Sequence, residues 1–391
     1  MGETSERDIV KATRLGRAAA ILSVASLALV ACGNGDDSAN GGDAAAAEEN
    51  GGGNGGSAEG NGDSSVSGEL IGGGASSQEA AMTAWTQSVS DVHPDLSVSY
   101  DPVGSGSGRE GFINGQYSFA GSDAAMDADE QSQAEAVCGP DGVFHTPSYI
   151  SPVAVAYNLP DAEENINMDA ETIAAVFAGE ITNWSDDAIA EHNEGVELPD
   201  QEITVVHRAD DSGTTENFTD YLTEAAGEAA WEFGTFETWP DEITSESAQQ
   251  TSGVVSLTSE TEGAITYADA SQVGELGTVA VQVGEEYVPY SAEAAAAAVE
   301  NSEPNEEAEG AVSLARDTTE SGSYPIVLVS YHIFCNTYQD QQTADQVQAF
   351  GEYLLSEEGQ QVAADSAGNA PVSDGIRESA MERLDAISVQ Q

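Results

Sequence analysis

ITVVHRADDSGTTENFTDYL, residues 203–222, reads as an apolar strand (Ile203, Val205, Val206), then a short polar turn, then a helix opening at Ser212 or Thr214. The turn carries one fixed cation, Arg208, and the small hydroxyl residues Ser212, Thr214 and Thr215 around Gly213. A helix start points unpaired backbone N–H groups and the positive end of the helix dipole outward. Gly213 lets an anion approach that backbone, and a guanidinium holds two oxygens at once. The stretch therefore has the makings of half an oxyanion site. An ordinary strand–turn–helix capped by Ser or Thr has the same pattern.

Two other strand-to-turn junctions share this character. They are Gly74-Ala75-Ser76-Ser77 and Gly104-Ser105-Gly106-Ser107-Gly108-Arg109. Three such helix starts converging on one point would form a cage of N–H and O–H donors. GSGSGR lacks the Gly-Lys-Ser/Thr ending of a P-loop and does not fit a dinucleotide fingerprint, which argues against nucleotide binding. The five histidines (His93, His145, His192, His207, His332) show no metal-ligand spacing, so no metal is expected. Ser212 lies in no G-x-S-x-G elbow. The tryptophans, Trp85, Trp184, Trp231 and Trp239, read as core.

Residues 1–31 read as a targeting segment: a basic start (Lys11, Arg14, Arg17), a short apolar run from Ala18 to Ala31, and the tetrapeptide Leu29-Val30-Ala31-Cys32. That ending resembles a bacterial lipoprotein signal, with cleavage before Cys32 and lipid on its sulfur. The alternatives are cleavage elsewhere or a free thiol. No later segment is long and apolar enough to span a bilayer. Residues 32–65 are Gly, Asn, Ala, Ser, Asp and Glu with almost nothing apolar, a flexible acidic tether with a root-mean-square span of roughly 30 Å.

Without residues 1–31, the 70 acids lose Glu3, Glu6 and Asp8, and five arginines remain with no lysine, a formal net charge of −62. Such self-repulsion is tolerable where salt screens it, because the Debye length is about 3 Å at 1 M. The charge predicts a halophilic, extracytoplasmic protein and makes nucleic acid a poor partner. Cys138 and Cys335 are the cysteines that remain. In an exported chain that pair suggests one disulfide, the alternative being two buried thiols.

From residue 66 onward, strand and helix patterns alternate, which predicts an α/β fold long enough for two lobes. Strands are expected at 67–74, 96–103 and 324–334, and 118–126 reads as a strand into a turn. Helices are expected at 76–92, 169–179, 184–193 and 343–366, the last interrupted near Ser356. Residues 104–115 read as a glycine-rich turn into a helix, and 252–271 as helix, turn and strand.

Ordered along the folded part are IGGGASS (71–77), GSGSGR (104–109), FAGSDAAM (119–126), GEITNWSDDAIAEHN (179–193), VVHRADDSGTTENFTDYL (205–222) and GAITYADA (263–270). In these motifs the chain resembles the phosphate-binding proteins of bacterial high-affinity phosphate ABC transporters. The resemblance implies a two-lobed type II periplasmic-binding-protein fold with two hinge crossovers, near 154–157 and 324–327. Lobe 1 would comprise 66–154 and 327–391, and lobe 2 would be 155–326. Cys138 and Cys335 would then share lobe 1, and their disulfide would span the inserted lobe.

The same resemblance implies a phosphate-binding set of Ser76, Ser77, Ser105, Asp123, Arg208, Asp210, Ser212, Gly213 and Thr214. Relatives commonly have Thr-Phe where this chain has Ser76-Ser77, so Ser77 is expected to offer only its backbone N–H. Asp123 would be an acceptor that demands a proton on the ligand. Phosphate near neutral pH supplies one and sulfate does not, which implies roughly 10³-fold or greater discrimination. The implied protein is a monomer held by a lipid anchor on Cys32 on the outer face of the cell membrane. It would need no cofactor, perform no catalysis and hand inorganic phosphate to permease subunits. A receptor for another tetrahedral oxyanion, or a phosphoester hydrolase using the same cage, are the competing readings.

Overall fold

The computed structural model describes residues 66–390 apart from 161, 163, 164 and 301. The targeting segment, the Cys32 anchor and the tether at 32–65 lie outside the described residues. What is described belongs to one compact unit, Gly62–Gln391.

The chain begins with β1 (Gly68–Gly74), α1 (Glu79–Val92), β2 (Leu96–Asp101), α2 (Ser105–Ile113), β3 (Phe119–Ser122), α3 (Ala128–Cys138) and the 15-residue β4 (Val143–Tyr157). Next come β5 (Ile166–Met168), α4 (Ala170–Phe177), α5 (Asp187–Ala190), β6 (Thr204–Arg208), α6 (Gly213–Tyr221), β7 (Glu246–Ala248), α7 (Gln250–Glu260), β8 (Ala264–Asp269), β9 (Gly277–Val283), β10 (Glu286–Val288) and α8 (Ala292–Val299). The return leg holds β11 (Glu303–Pro304), β12 (Val312–Ser313), β13 (Val327–Cys335), β14 (Thr337–Tyr338), α9 (Gln341–Leu355), α10 (Glu357–Ala367), α11 (Asp374–Asp385) and β15 (Ser388–Val389).

The main sheet runs in the order β2-β1-β3-β13-β4-β8-β6-β7, with β9 also on β4 and carrying β5 and β10. β1 is parallel to β2 and β3, and β6 is parallel to β7 and β8. β4 joins these two parallel groups. Its residues Val143 to Pro152 pair antiparallel with β13, and Val153 to Tyr157 then pair with β8. All 15 of its residues are buried. Because both faces are covered, β4 lacks the in–out alternation of a half-buried strand. It also holds Pro147 and Pro152, residues that argue against a central strand. Pro147 sits opposite the register shift at Ser330/Tyr331, and Pro152 sits where the pairing changes partner.

Most expected elements recur with boundaries shifted by a few residues. Two differ in kind. The glycine-rich turn expected to lead into a helix is itself helical from Ser105, the first turns of α2 with Gly104 as N-cap, and the expected helix at 184–193 shrinks to the four residues of α5. The long C-terminal helix divides at Ser356, whose Oγ accepts the Gly359 N–H and caps α10. The four tryptophans are all buried, and His145 and His332 are buried packing residues. Burial lowers their pKa values to about 4 and about 3, so both are neutral. Cys138, ending α3, and Cys335, ending β13, are joined as a disulfide with Cα atoms 5.0 Å apart.

Candidate functional site

Parallel strands that feed helices direct their carboxyl ends and the following helix starts to one side of a sheet. Here β1 leads into Ser76-Ser77, β2 into Ser105, β3 into Asp123, β6 into Arg208 and α6, and β7 into α7. The turn after β1 exists because of Gly74: with φ at +153°, a Cβ there would lie 1.8 Å from the Gly121 carbonyl oxygen. The backbones of the first and third strands thus close together and bring Ser77 beside Asp123.

Asp123 is 3% exposed and accepts three hydroxyl hydrogen bonds. Ser77 Oγ donates to Oδ2 at 2.5 Å, Thr214 Oγ1 donates to Oδ2 at 3.2 Å, and Ser330 Oγ donates to Oδ1 at 2.7 Å. Burial raises its pKa, while the Ser77, Ser330 and Thr214 hydroxyls and the Arg208 charge oppose that rise. Its backbone N–H donates to Ser105 Oγ at 3.2 Å, and its carbonyl accepts from Asn217 Nδ2 at 2.8 Å. Gly213 fits against this loop only without a side chain: a Cβ would stand 2.8 Å from Ser105 Oγ and 2.9 Å from Asp123 Cβ.

Arg208 is also 3% exposed. Its Nε donates to Asp210 Oδ1 at 2.9 Å and its Nη2 to Asp210 Oδ2, a fork that fixes the guanidinium plane. Nη1 points toward Thr251 Oγ1 at 3.5 Å, and Thr251 Oγ1 lies 3.1 Å from Ser76 Oγ. Asp210 Oδ1 also accepts the Gln250 N–H at 2.9 Å. Gln250 holds φ at +65°, unlike any other non-glycine among the described residues, a strain of order 1–3 kcal/mol that this bond and its side-chain bond to Pro102 O help to hold.

The nine residues expected at the site therefore lie on neighbouring loops and helix starts. Ser77, Asp123 and Thr214 touch directly. Ser105 and Gly213 back them, and Ser76 reaches Arg208 through Thr251. Ser212 caps α6, its Oγ accepting the Thr215 N–H at 3.3 Å, a bond that does not use its own hydroxyl proton. Ser77 departs from its expected backbone role, since its hydroxyl bonds Asp123. Arg109, the cation of GSGSGR, does not join the cluster: both Nη atoms bind Glu237, at 2.9 and 2.7 Å, and its Nε binds Glu130.

Sequence reasoning missed Thr251, Ser330 and Asn217. Thr251-Ser252-Gly253 is a fourth hydroxyl-and-glycine helix start, legible by the rule that picked out the other three. Ser330 is the one serine in the apolar YPIVLVSYHIF run, and a buried hydroxyl requires a partner. Asn217 lies one turn beyond Gly213 in α6 and had no visible signal. No cluster of three or more His, Cys, Asp or Glu among the described residues could hold a metal ion. Among those residues no helix is long and apolar enough to cross a membrane.

Residues 59–358 match the PBP superfamily domain. Phosphate-binding protein PstS3 of Mycobacterium bovis (strain BCG / Pasteur 1173P2) is 32% identical over 387 residues, 97% of this chain and 100% of its own. Phosphate-binding protein PstS 2 of Mycobacterium tuberculosis (strain ATCC 25618 / H37Rv) is 30% identical over 391 residues, again 97% of this chain and 100% of its own. Among solved structures, that of a high affinity periplasmic phosphate-binding protein (PfluDING) bound with phosphate at pH 8.5 superposes with a TM-score of 0.66. It is 20% identical and covers 80% of this chain and 93% of that one, a likeness of fold.

Proposed function

This chain belongs to the family of PstS phosphate-binding proteins within the PBP superfamily, and from that membership we propose that it captures inorganic phosphate and delivers it to the permease of an ABC transporter. The observation that carries the reading is Asp123: a buried carboxylate, an acceptor, set among the donors of several helix starts and beside Arg208. An oxyanion cage that holds a carboxylate acceptor suits a ligand that brings a proton, which phosphate does and sulfate does not. The ligand set is Ser76, Ser77, Ser105, Asp123, Arg208, Asp210, Ser212, Gly213 and Thr214, with Thr251 positioning Ser76 and Arg208.

The site works by binding alone, without catalysis. Lobe 1 (66–154 and 327–391) and lobe 2 (155–326) close over the ligand about crossovers in β4 and just before β13. The change of pairing partner between Pro152 and Val153 supports a crossover there. Lipid on Cys32 anchors a monomer to the outer face of the cell membrane, and the acidic tether gives it reach. The net charge of −62 suits a saline exterior, where ions screen the surface and the donors of the cage act at contact distance.

Calorimetric titration of ligand-stripped protein in molar chloride tests the reading. One-to-one phosphate binding without sulfate heat is expected, and no phosphate heat would refute it.

A further inference from the structure

Asp123 is almost fully occupied by the protein. An ionised carboxylate offers about four lone-pair sites, and Ser77, Thr214 and Ser330 take three. Each hydroxyl owns one proton. Once that proton is on Asp123, the oxygen behind it can only accept. Ser330 Oγ already accepts, from Gln78 Nε2 at 2.8 Å. Thr214 stands off at 3.2 Å. Ser77 makes the shortest of the three bonds, and among the described residues its oxygen receives no donor.

The charges point the same way. The groups acting electrostatically with Asp123 are Arg208 on β6, Tyr100 on β2, Tyr149 on β4, Tyr331 on β13 and Asp269 at the end of β8. The tyrosines are held neutral by burial. The one positive group, Arg208, is already forked onto Asp210. A dibasic anion would bring two negative charges to a guanidinium flanked by two carboxyl groups, with one proton for two acceptors.

Resting on the phosphate reading above, we propose that Ser77 is a specificity-determining residue: with its proton spent on Asp123, Ser77 Oγ and the last free acceptor of Asp123 together read two ligand protons, so the site selects monobasic H2PO4− over dibasic HPO4 2−. A residue without an acceptor at position 77 would leave the second ligand proton unread.

Calorimetry of the full chain with inorganic phosphate, in constant molar chloride and from about pH 5.5 to about 8.5, tests this. The expected Kd for total phosphate rises about tenfold per pH unit above the second ionisation of phosphate, the slope of one linked proton. Ser77→Ala puts a methyl where the acceptor stood and is expected to bind phosphate with a slope below about threefold per unit. Ser77→Thr retains the hydroxyl and is expected to retain the slope. A wild-type Kd that is flat or falls as pH rises overturns the proposal, as does Ser77→Ala with the wild-type slope. Absence of phosphate heat at every pH refutes instead the phosphate reading on which it rests.

Discussion

Replacing Asp123 with Asn separates charge from shape at the buried carboxylate that faces the ligand proton. Asn keeps one oxygen and turns the other into an N–H donor. Two hydroxyls face Oδ2 and one faces Oδ1, so the amide nitrogen takes the Oδ1 side, where only Ser330 loses its acceptor. Ser330 can instead accept from the new amide, as it already does from Gln78. The unpaired hydroxyl proton costs about 1–3 kcal/mol, and removing a buried charge offsets part of that. Folding should therefore survive.

The acceptor left for the ligand is on the same Oδ1 side, so the phosphate proton then meets a donor and the charge-assisted bond of about 1.5–3 kcal/mol is lost outright. That is roughly a 10- to 140-fold weaker Kd, at 1.4 kcal/mol per factor of ten. Sulfate, whose bare oxygen faces a full carboxylate in the wild type, loses that repulsion and gains affinity. The phosphate-to-sulfate ratio should collapse by about two orders of magnitude. Calorimetric titration of both anions into both proteins, with a thermal melt as a folding control, measures it. An unchanged ratio in a folded variant would refute the idea that this carboxylate reads the ligand proton.

Arg208→Ala leaves Asp210 without its guanidinium. Loss of detectable phosphate heat and a stability decrease of about 3 kcal/mol by denaturant titration are expected. Asp269 is buried and its pKa is raised to about 6 by burial, the bonds from Ser271 and Ser151 opposing the rise. Because the folded value exceeds the unfolded one, its contribution to stability is complete below about pH 3.9 and is lost as pH rises through about 6, a change of about 3 kcal/mol. Asp269→Asn should flatten the stability-versus-pH curve in that window, and an unaltered curve would count against it. Replacing Cys138 and Cys335 with Ser opens a loop with a sequence separation of 197. The chain-entropy argument puts the loss at about 5 kcal/mol, and a melting temperature unaffected by reduction would contradict it. Finally, stopped-flow phosphate on-rates should rise with ionic strength as screening hides the acidic surface. A fall would mean that local positive steering dominates.

Residues 203–222 carried their structure openly. β6, the Ser212 cap and the start of α6 follow from apolar residues, a hydroxyl and a glycine within one short window. Gly179 at φ +75° after α4 and Ser356 before α10 were equally local signals. β4 was not legible, because burial on both faces erased its alternation and its two prolines spoke against a strand. α5 was overestimated for a related reason: the segment 184–193 buries Trp184 and Ile189 yet needs only one turn of helix to do so.

The sequence alone determined the chemistry available: a guanidinium in a polar turn, small hydroxyl residues at several helix starts, an aspartate in a turn of small residues and a strongly acidic composition. These are properties of windows a few residues long, where spacing, capping and charge act locally. Tertiary structure decided which of those groups meet. It brought Ser77 onto Asp123 across 46 positions and Ser330 onto it across 207, and it sent Arg109 to Glu237 instead. Contacts at such separations depend on sheet order and on the close approach of β1 to β3, and no local pattern encodes either.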